Sequence, residues 1–439
     1  MLKNKPEDIV KVSRTEGVEI MKKAWLIVIV IGLVYLGTGC NVKEGNETLH
    51  VVTEASFEED VKEAKSFFQI EHPEVQIEIQ VLKQDPEERS SEIQKIRTEI
   101  MAGNGPDVFL LGCADELISE EDQQECLFSN VNKAMESGGF AALDTYMQKD
   151  EYWKHDTYQP AILKAGQYKG RQYVIPLGCT YFIYVHPEAE DALTGTTLED
   201  WLEEITESEN EELKYQMFRA LYRLMCGRII QPAIDYDNCE VQFDKAVWVS
   251  VLRKYIPEYQ NVCEQEAASK LEGTSEFMIQ RADMLTLSEE TDLQCQAVPE
   301  LTGNRTAAIT SFGAVGMSSE NPEMAYEFLM LFLNDKMESE EFGTIAGGIS
   351  SMGVPVQERS WKKYLESHGM IEESNQQAIL ESFWELDNAY FPLETECELY
   401  QEIFEILNSA EKQDSEDLGI KLELVSEEYE KQYQAIAKE

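Results

Sequence analysis

The run TLHVVT (48–53), FEEDVKEAKSFFQI (57–70), VQIEIQVL (75–82), EERSSEIQKIRTEIMA (87–102) and VFLL (108–111) decides the fold of this 439-residue chain. Thr48 to Thr53 reads as a strand. Phe57, Val61, Ala64, Phe67 and Phe68 recur at helical spacing, so 57–70 is an amphipathic helix with one buried face. Val75, Ile77, Ile79 and Val81 alternate, the period of a half-buried strand. Ile93, Ile96 and Ile100 mark a second helix from Glu87 to Ala102, closed at Gly103, which suits a left-handed cap. Val108 to Leu111 is apolar throughout and reads as a buried strand. Strand, helix, strand, helix, strand predicts an α/β layer on a largely parallel sheet.

The alternation returns downstream without a sequence repeat. Tyr173 to Ile175 and Tyr181 to Val185 read as strands separated by Pro176, whose missing N–H argues against one continuous central strand. Helical spacing covers Thr197 to Ile205, with Trp201, and Leu213 to Leu224. Asp283 to Leu287 reads as a short strand and Thr306 to Met317 as an extended, glycine-interrupted segment. Asn321-Pro322-Glu323 opens an apolar helix. A final helix places Leu418, Leu422, Val425, Tyr429, Tyr433 and Ile436 on one face. The region after residue 40, about 400 residues, is long enough for two or more domains.

Upstream, Lys22-Lys23, the apolar stretch Ala24 to Leu36, the small residues Gly37-Thr38-Gly39 and then Cys40 follow the order of a bacterial lipoprotein export signal. Such a signal needs a positive start, roughly 7–15 apolar residues and a small-residue processing site. A spanning helix needs about 20. Leu36 lies one position further from the cysteine than the usual leucine. The polar residues 1–20 do not belong to such a signal, which makes Met21 the expected start. Residues 1–39 are thus expected to be leader and signal peptide, and 40–47 a lipidated linker. Lipid chains on Cys40 would each contribute about 0.8 kcal/mol per buried methylene, anchoring the protein to the extracytoplasmic face of the cell membrane.

The formal charge of -47, from 84 acidic and 37 basic residues, argues for solubility and against nucleic acid as a partner. Eight cysteines follow Cys40, at 113, 126, 179, 226, 239, 263, 295 and 397, with no Cys-x-x-Cys pair. The five histidines are far apart. Neither pattern supports a metal site. No phosphate-cradling loop occurs, and Gly348 to Gly353 is one residue too long for a Gly-x-Ser-x-Gly elbow. No metal, no cofactor and no enzymatic activity are expected.

Five segments then occur in one order: Ala102-Gly103-Asn104-Gly105-Pro106-Asp107-Val108, Tyr168-Lys169-Gly170-Arg171-Gln172-Tyr173-Val174-Ile175-Pro176, Glu272-Gly273-Thr274-Ser275-Glu276-Phe277-Met278, Asn321-Pro322-Glu323-Met324-Ala325-Tyr326-Glu327-Phe328-Leu329 and Gly353-Val354-Pro355-Val356. With them the chain resembles the extracellular solute-binding lipoproteins of ABC importers, in their carbohydrate-type family. The resemblance implies a two-lobed periplasmic-binding-protein-like α/β fold with a ligand cleft between lobes joined by three crossings. It places 48–175 and 278–310 in the first lobe and 176–277 and 311–439 in the second. The crossings fall near Pro176, Gly273 to Met278 and Ser311 to Gly316. It further implies a monomer that captures a sugar or related polar solute by lobe closure and delivers it to permease subunits.

Ligands in open α/β sheets bind beyond the carboxyl ends of strands. A sugar there needs carboxylate or amide partners and flat aromatic platforms. Mapped onto this sequence, the binding residues are Glu54, Ser56, Phe57, Gly112, Asp115, Thr180, Tyr181, Ser288, Phe312, Asn388, Tyr390 and Phe391, with Glu289 beside them. Phe57 also fits the buried helical stripe, and Tyr181 and Tyr390 suit core and cleft equally. Trp384 reads as core, following Ile379 and Phe383 at helical spacing. Where the family often has glycine and tryptophan, this chain has Ser288-Glu289-Glu290-Thr291, which favours a ligand smaller or more polar than an oligosaccharide. Two other readings stay open: a sensor or surface interaction module without transport, and a hydrolase, which would need paired carboxylates roughly 5–9.5 Å apart.

Overall fold

The first five elements form where the sequence places them: β1 (Thr48–Thr53), α1 (Glu58–Glu71), β2 (Gln76–Val81), α2 (Pro86–Met101) and β3 (Val108–Gly112). The structure, a computed structural model, describes residues 48–115, 124–155, 157–225, 230–268, 277–285, 293–334, 337, 353–367, 373–408 and 415–439. The leader, Cys40, the linker, Gly273, Ser288 and Glu289 lie outside the described residues. Thr48–Glu439 forms a unit of its own. Among the described residues no helix is long and apolar enough to cross a membrane.

Local chemistry sets these boundaries. Asp85 accepts hydrogen bonds from the Glu87 and Glu88 N–H groups, and Pro86 occupies the first turn of α2, where no N–H is needed. The helix ends at Gly103, which takes φ 75°. On α1 the buried side chains are Val61, Ala64 and Phe68, one stripe facing the sheet.

The chain continues through β4 (Val174–Thr180), β5 (Phe182–His186), α3 (Leu198–Glu207), α4 (Glu211–Met225), α5 (Lys245–Ala268), β6 (Met278–Arg281), β7 (Gln294–Ala297), β8 (Thr306–Val315) and α6 (Pro322–Met330). It ends with β9 (Val354–Pro355), α7 (Glu373–Trp384), β10 (Asn388–Tyr390), α8 (Glu394–Asn408) and α9 (Ser415–Lys438). A seven-stranded sheet has the order β9-β4-β8-β3-β1-β2, with β10 added on β8. Strands β1, β2 and β3 are parallel, but β8 runs antiparallel to both β3 and β4, so the sheet is mixed rather than largely parallel. A second, antiparallel sheet has the order β6-β5-β7.

Three local expectations change. Strand β4 runs unbroken through Pro176, buried along its whole length. The proline faces Phe312 beside a register shift in β8, an irregularity that tolerates a residue with no N–H to give. The strand expected at 283–287 lies earlier, at β6, and Ala282–Met284 is a single 3-10 turn. Trp384 is 37% exposed, with its edge on Phe383, rather than core.

Two apolar cores result. The first gathers Phe57, Phe68, Phe109, Phe312, Phe328 and Trp361 around the large sheet. The second gathers Trp201, Phe218, Trp248, Tyr255 and Tyr429 from the helices α3, α4, α5 and α9. Alternation along β5 gives each core one face of the small sheet, with Ile183 and Val185 in the first and Phe182 and Tyr184 in the second. Phe312, Phe328, Trp361, Ile379 and Phe391, from the stretch 311–439 expected in the second lobe, pack in the first core, whereas Ile279, from the stretch 278–310 expected in the first lobe, packs in the second. The reason is β8: it hydrogen-bonds to β3, β4 and β10, and α6 then covers it, with Leu329 filling the notch at Gly313. After β8 the described chain re-enters the second core at Leu393.

Candidate functional site

Strands β3 and β4 both oppose β8, and Gly112 and Gly178 both register with Ser311. Their carboxyl ends, and that of β1 beside β3, therefore point the same way out of the large sheet. Glu54 stands just past β1 and is 8% exposed. Both of its oxygens accept from Arg89 of α2, at 3.0 Å each. The same guanidinium donates to the Glu125 carbonyl at 2.6 Å and the Lys83 carbonyl at 3.2 Å. Glu54 is thus held by Arg89 at the mouth of the site.

A second network joins the strand ends. Arg281, at the end of β6, donates through Nη1 to both oxygens of Asp115 at 2.9 and 2.7 Å. Its Nε and Nη2 donate to Asp283 at 2.9 and 2.6 Å. The Thr180 hydroxyl, at the end of β4, donates to Asp283 at 2.5 Å. Burial pushes the Asp283 carboxyl upward, but the Arg281 hydrogen bonds and charge, with Thr180, outweigh it and hold the group below the usual carboxylate range. Nearby, Cys126 packs with Ala114 and Cys397. Burial, reinforced by Glu394 and Glu54, pushes its thiol up to about 12.

The remaining expected residues divide. Gly112 is half-buried and Ser56 exposed at the strand ends. Phe57, Tyr181 and Phe312 are core side chains, each at most 1% exposed, so they support the strand ends rather than face a ligand. The Tyr181 hydroxyl is paired with Ser382 at 3.0 Å, and Phe312 packs edge-on against Phe140 and Phe391. Asn388, Tyr390 and Phe391 come together elsewhere, in the wall of a cavity of about 420 Å³ that also meets Gln231, Tyr236 and Glu396. Glu396, 4% exposed, accepts from Gln231 at 3.0 Å, Tyr433 at 2.7 Å and the Leu393 N–H at 2.8 Å. Sequence reasoning missed Arg89, Arg281 and Asp283. The available signal was an arginine on a buried helix or strand position of a strongly acidic chain.

No protein-family model matches the sequence, and no curated protein matches it. Solved structures do. An extracellular solute-binding protein of family 1 from Alicyclobacillus acidocaldarius superposes with a TM-score of 0.56 at 16% identity, covering 89% of this chain and 98% of that one. The sugar-binding protein MalE of Xanthomonas citri gives 0.55 at 14% identity, covering 89% and 100%. A periplasmic oligogalacturonide-binding protein of Yersinia enterocolitica gives 0.54 at 17% identity, covering 89% and 99%. The fold is that of the two-lobed extracellular solute-binding proteins. The expected α/β class and lobed architecture are borne out.

Within a solute-binding fold the Arg281 network takes on meaning, because its partners come from different sheets. Asp115 follows β3 of the large sheet, whereas Arg281 belongs to β6 of the small one. Further contacts tie the same two parts of the chain. Asn130 donates to the Tyr236 hydroxyl at 3.0 Å, and the Cys126 N–H donates to Glu394 at 3.3 Å. Polar pairs therefore join the strand ends of the large sheet to residues beside the small sheet.

Proposed function

We propose that this protein is an extracellular lipoprotein that captures a sugar or related polar solute between its lobes and delivers it to an ABC importer. The observation that carries this reading is the meeting of Asp115 and Thr180, at two strand ends of the large sheet, with Arg281 and Asp283 next to the small sheet, while Glu54 at a third strand end pairs with Arg89. Carboxylates and guanidinium groups held in place are strong partners for hydroxyls. A ligand favours closure only through contacts that it makes better in the closed state, and groups contributed by both sheets meet that condition. No covalent chemistry is required of the chain. Cys40 would carry the lipid anchor, and the protein would work as a monomer with permease subunits in the membrane.

Two of the similar structures are described as binding an oligogalacturonide and a sugar, so sugars lead the screen. The test is a thermal-shift panel of neutral sugars, uronates, amino sugars and polyols on the protein beginning at Asn41. A true ligand at a hundredfold excess over its Kd raises stability by about 2.7 kcal/mol. Asp115→Ala should abolish that shift. A flat response to the whole panel would remove solute capture as the function.

A further inference from the structure

We propose that His72, Glu71 and Glu327 form a site for a divalent transition-metal ion, zinc above all, that ties α1 to α6. This site shares no residue with the strand-end networks and goes beyond solute capture. Glu71 is the last residue of α1 and His72 its cap, the backbone N–H of His72 donating to the Phe68 carbonyl at 2.9 Å. Glu327 comes from α6. The three residues each offer a donor atom, all within 4.8 Å of one another.

The imidazole is already oriented. Its ring stacks on Phe68 with centroids 4.5 Å apart and planes at 27°, and Phe68 in turn meets Phe328 of α6 at 5.4 Å. Nδ1 lies 3.8 Å from a Glu74 oxygen, and Nε2 lies 3.4 Å from Glu327 Oε1. Nε2, the ring nitrogen nearer Glu327, is the one that would bind the ion together with that carboxylate. Zinc bonds of about 2.0–2.2 Å in a tetrahedron put neighbouring ligand atoms about 3.4 Å apart, which is the separation of His72 Nε2 and Glu327 Oε1. Glu71 is exposed and reaches the ion by a rotamer change. Water fills the fourth position. The negative end of the α1 dipole also favours a cation at His72.

Isothermal titration of zinc chloride into chelator-stripped protein beginning at Asn41, at pH 7.5, tests the assignment. The expected result is one saturating site, at least tenfold weaker in His72→Ala and in Glu327→Gln, with a zinc-dependent rise in Tm that both variants lose. Magnesium should not substitute, since it wants an octahedron of oxygens. Glu327→Gln is a surface isostere, so it keeps the test valid if His72→Ala folds poorly. No saturation below millimolar zinc would mean that the cluster holds a proton only, and would overturn the proposal. Wild-type affinity in both variants would place the ion elsewhere and overturn it equally.

Discussion

Arg281→Met should be among the most destabilising single changes at the candidate site. The arginine is 5% exposed and donates four hydrogen bonds, two to Asp115 and two to Asp283, whose side chains are 18% and 12% exposed. Methionine keeps most of the volume but leaves two nearly buried carboxylates without their cation. Breaking a buried pair in this way costs about 3–5 kcal/mol. Replacing Asp283 as well, in Arg281→Met/Asp283→Asn, removes one stranded charge and should recover at least 1 kcal/mol, on the order of one buried polar group's desolvation. The pH dependence has a definite sign. Asp283 is held below its ordinary value, so its contribution is complete at neutral pH and is lost as pH falls through the folded value. The gap between wild type and Arg281→Met should therefore narrow below about pH 4, the ordinary aspartate range. Urea unfolding at pH 7 and at pH 3.5, followed by tryptophan fluorescence, measures all three quantities. A loss under about 1 kcal/mol at pH 7, the scale of an exposed pair, or a double variant no better than the single one, would refute the reasoning.

Gly316→Ala should cost about 1–3 kcal/mol by overpacking, because its Cβ would fall 2.0 Å from the Pro106 carbonyl oxygen, a backbone atom that no rotamer change can move; a thermal melt within 1 °C of wild type would contradict this. Iodoacetamide at pH 8 should label exposed Cys239 and spare Cys126 and Cys295, whose thiols burial pushes up to about 12, as read by peptide mass spectrometry on the native protein. Rapid native labelling of Cys126 would mean that the region joining it to Ala114 and Cys397 opens freely.

Much of the fold was legible because it rests on periodicity. The stripe through Val61, Ala64 and Phe68 and the alternation in 75–82 each report one element's buried face, and both survive in the structure. Order and direction in the sheet were not legible. Nothing in Thr306 to Val315 announces that this strand runs antiparallel to β3 and β4, since an apolar central strand reads alike in either direction. The partition between the two cores was not legible for the same cause: with β8 in the middle of the large sheet, Ala325, Phe328, Trp361, Phe383 and Phe391 pack in the first core. Pro176 misled because a missing donor was weighed without the register shift that accommodates it.

The candidate site was legible as positions but not as pairings. Glu54 and Asp115 could be placed beyond strand ends from the element order, whereas Thr180 was expected at a crossing and proves to end β4. Their partners could not, because Asp115 and Arg281 are 166 residues apart and Glu54 and Arg89 meet across a helix and a strand. In a chain with 84 acidic and 37 basic residues, a carboxylate's partner is set by topology rather than by neighbours in sequence. A buried arginine is the scarcer group, and burial demands that it be paired. Arg89 and Arg281 therefore organise the strand ends: Arg89 holds Glu54, and Arg281 holds Asp115 and Asp283. That ordering explains why aromatic residues chosen as platforms, such as Phe57 and Phe312, are core instead.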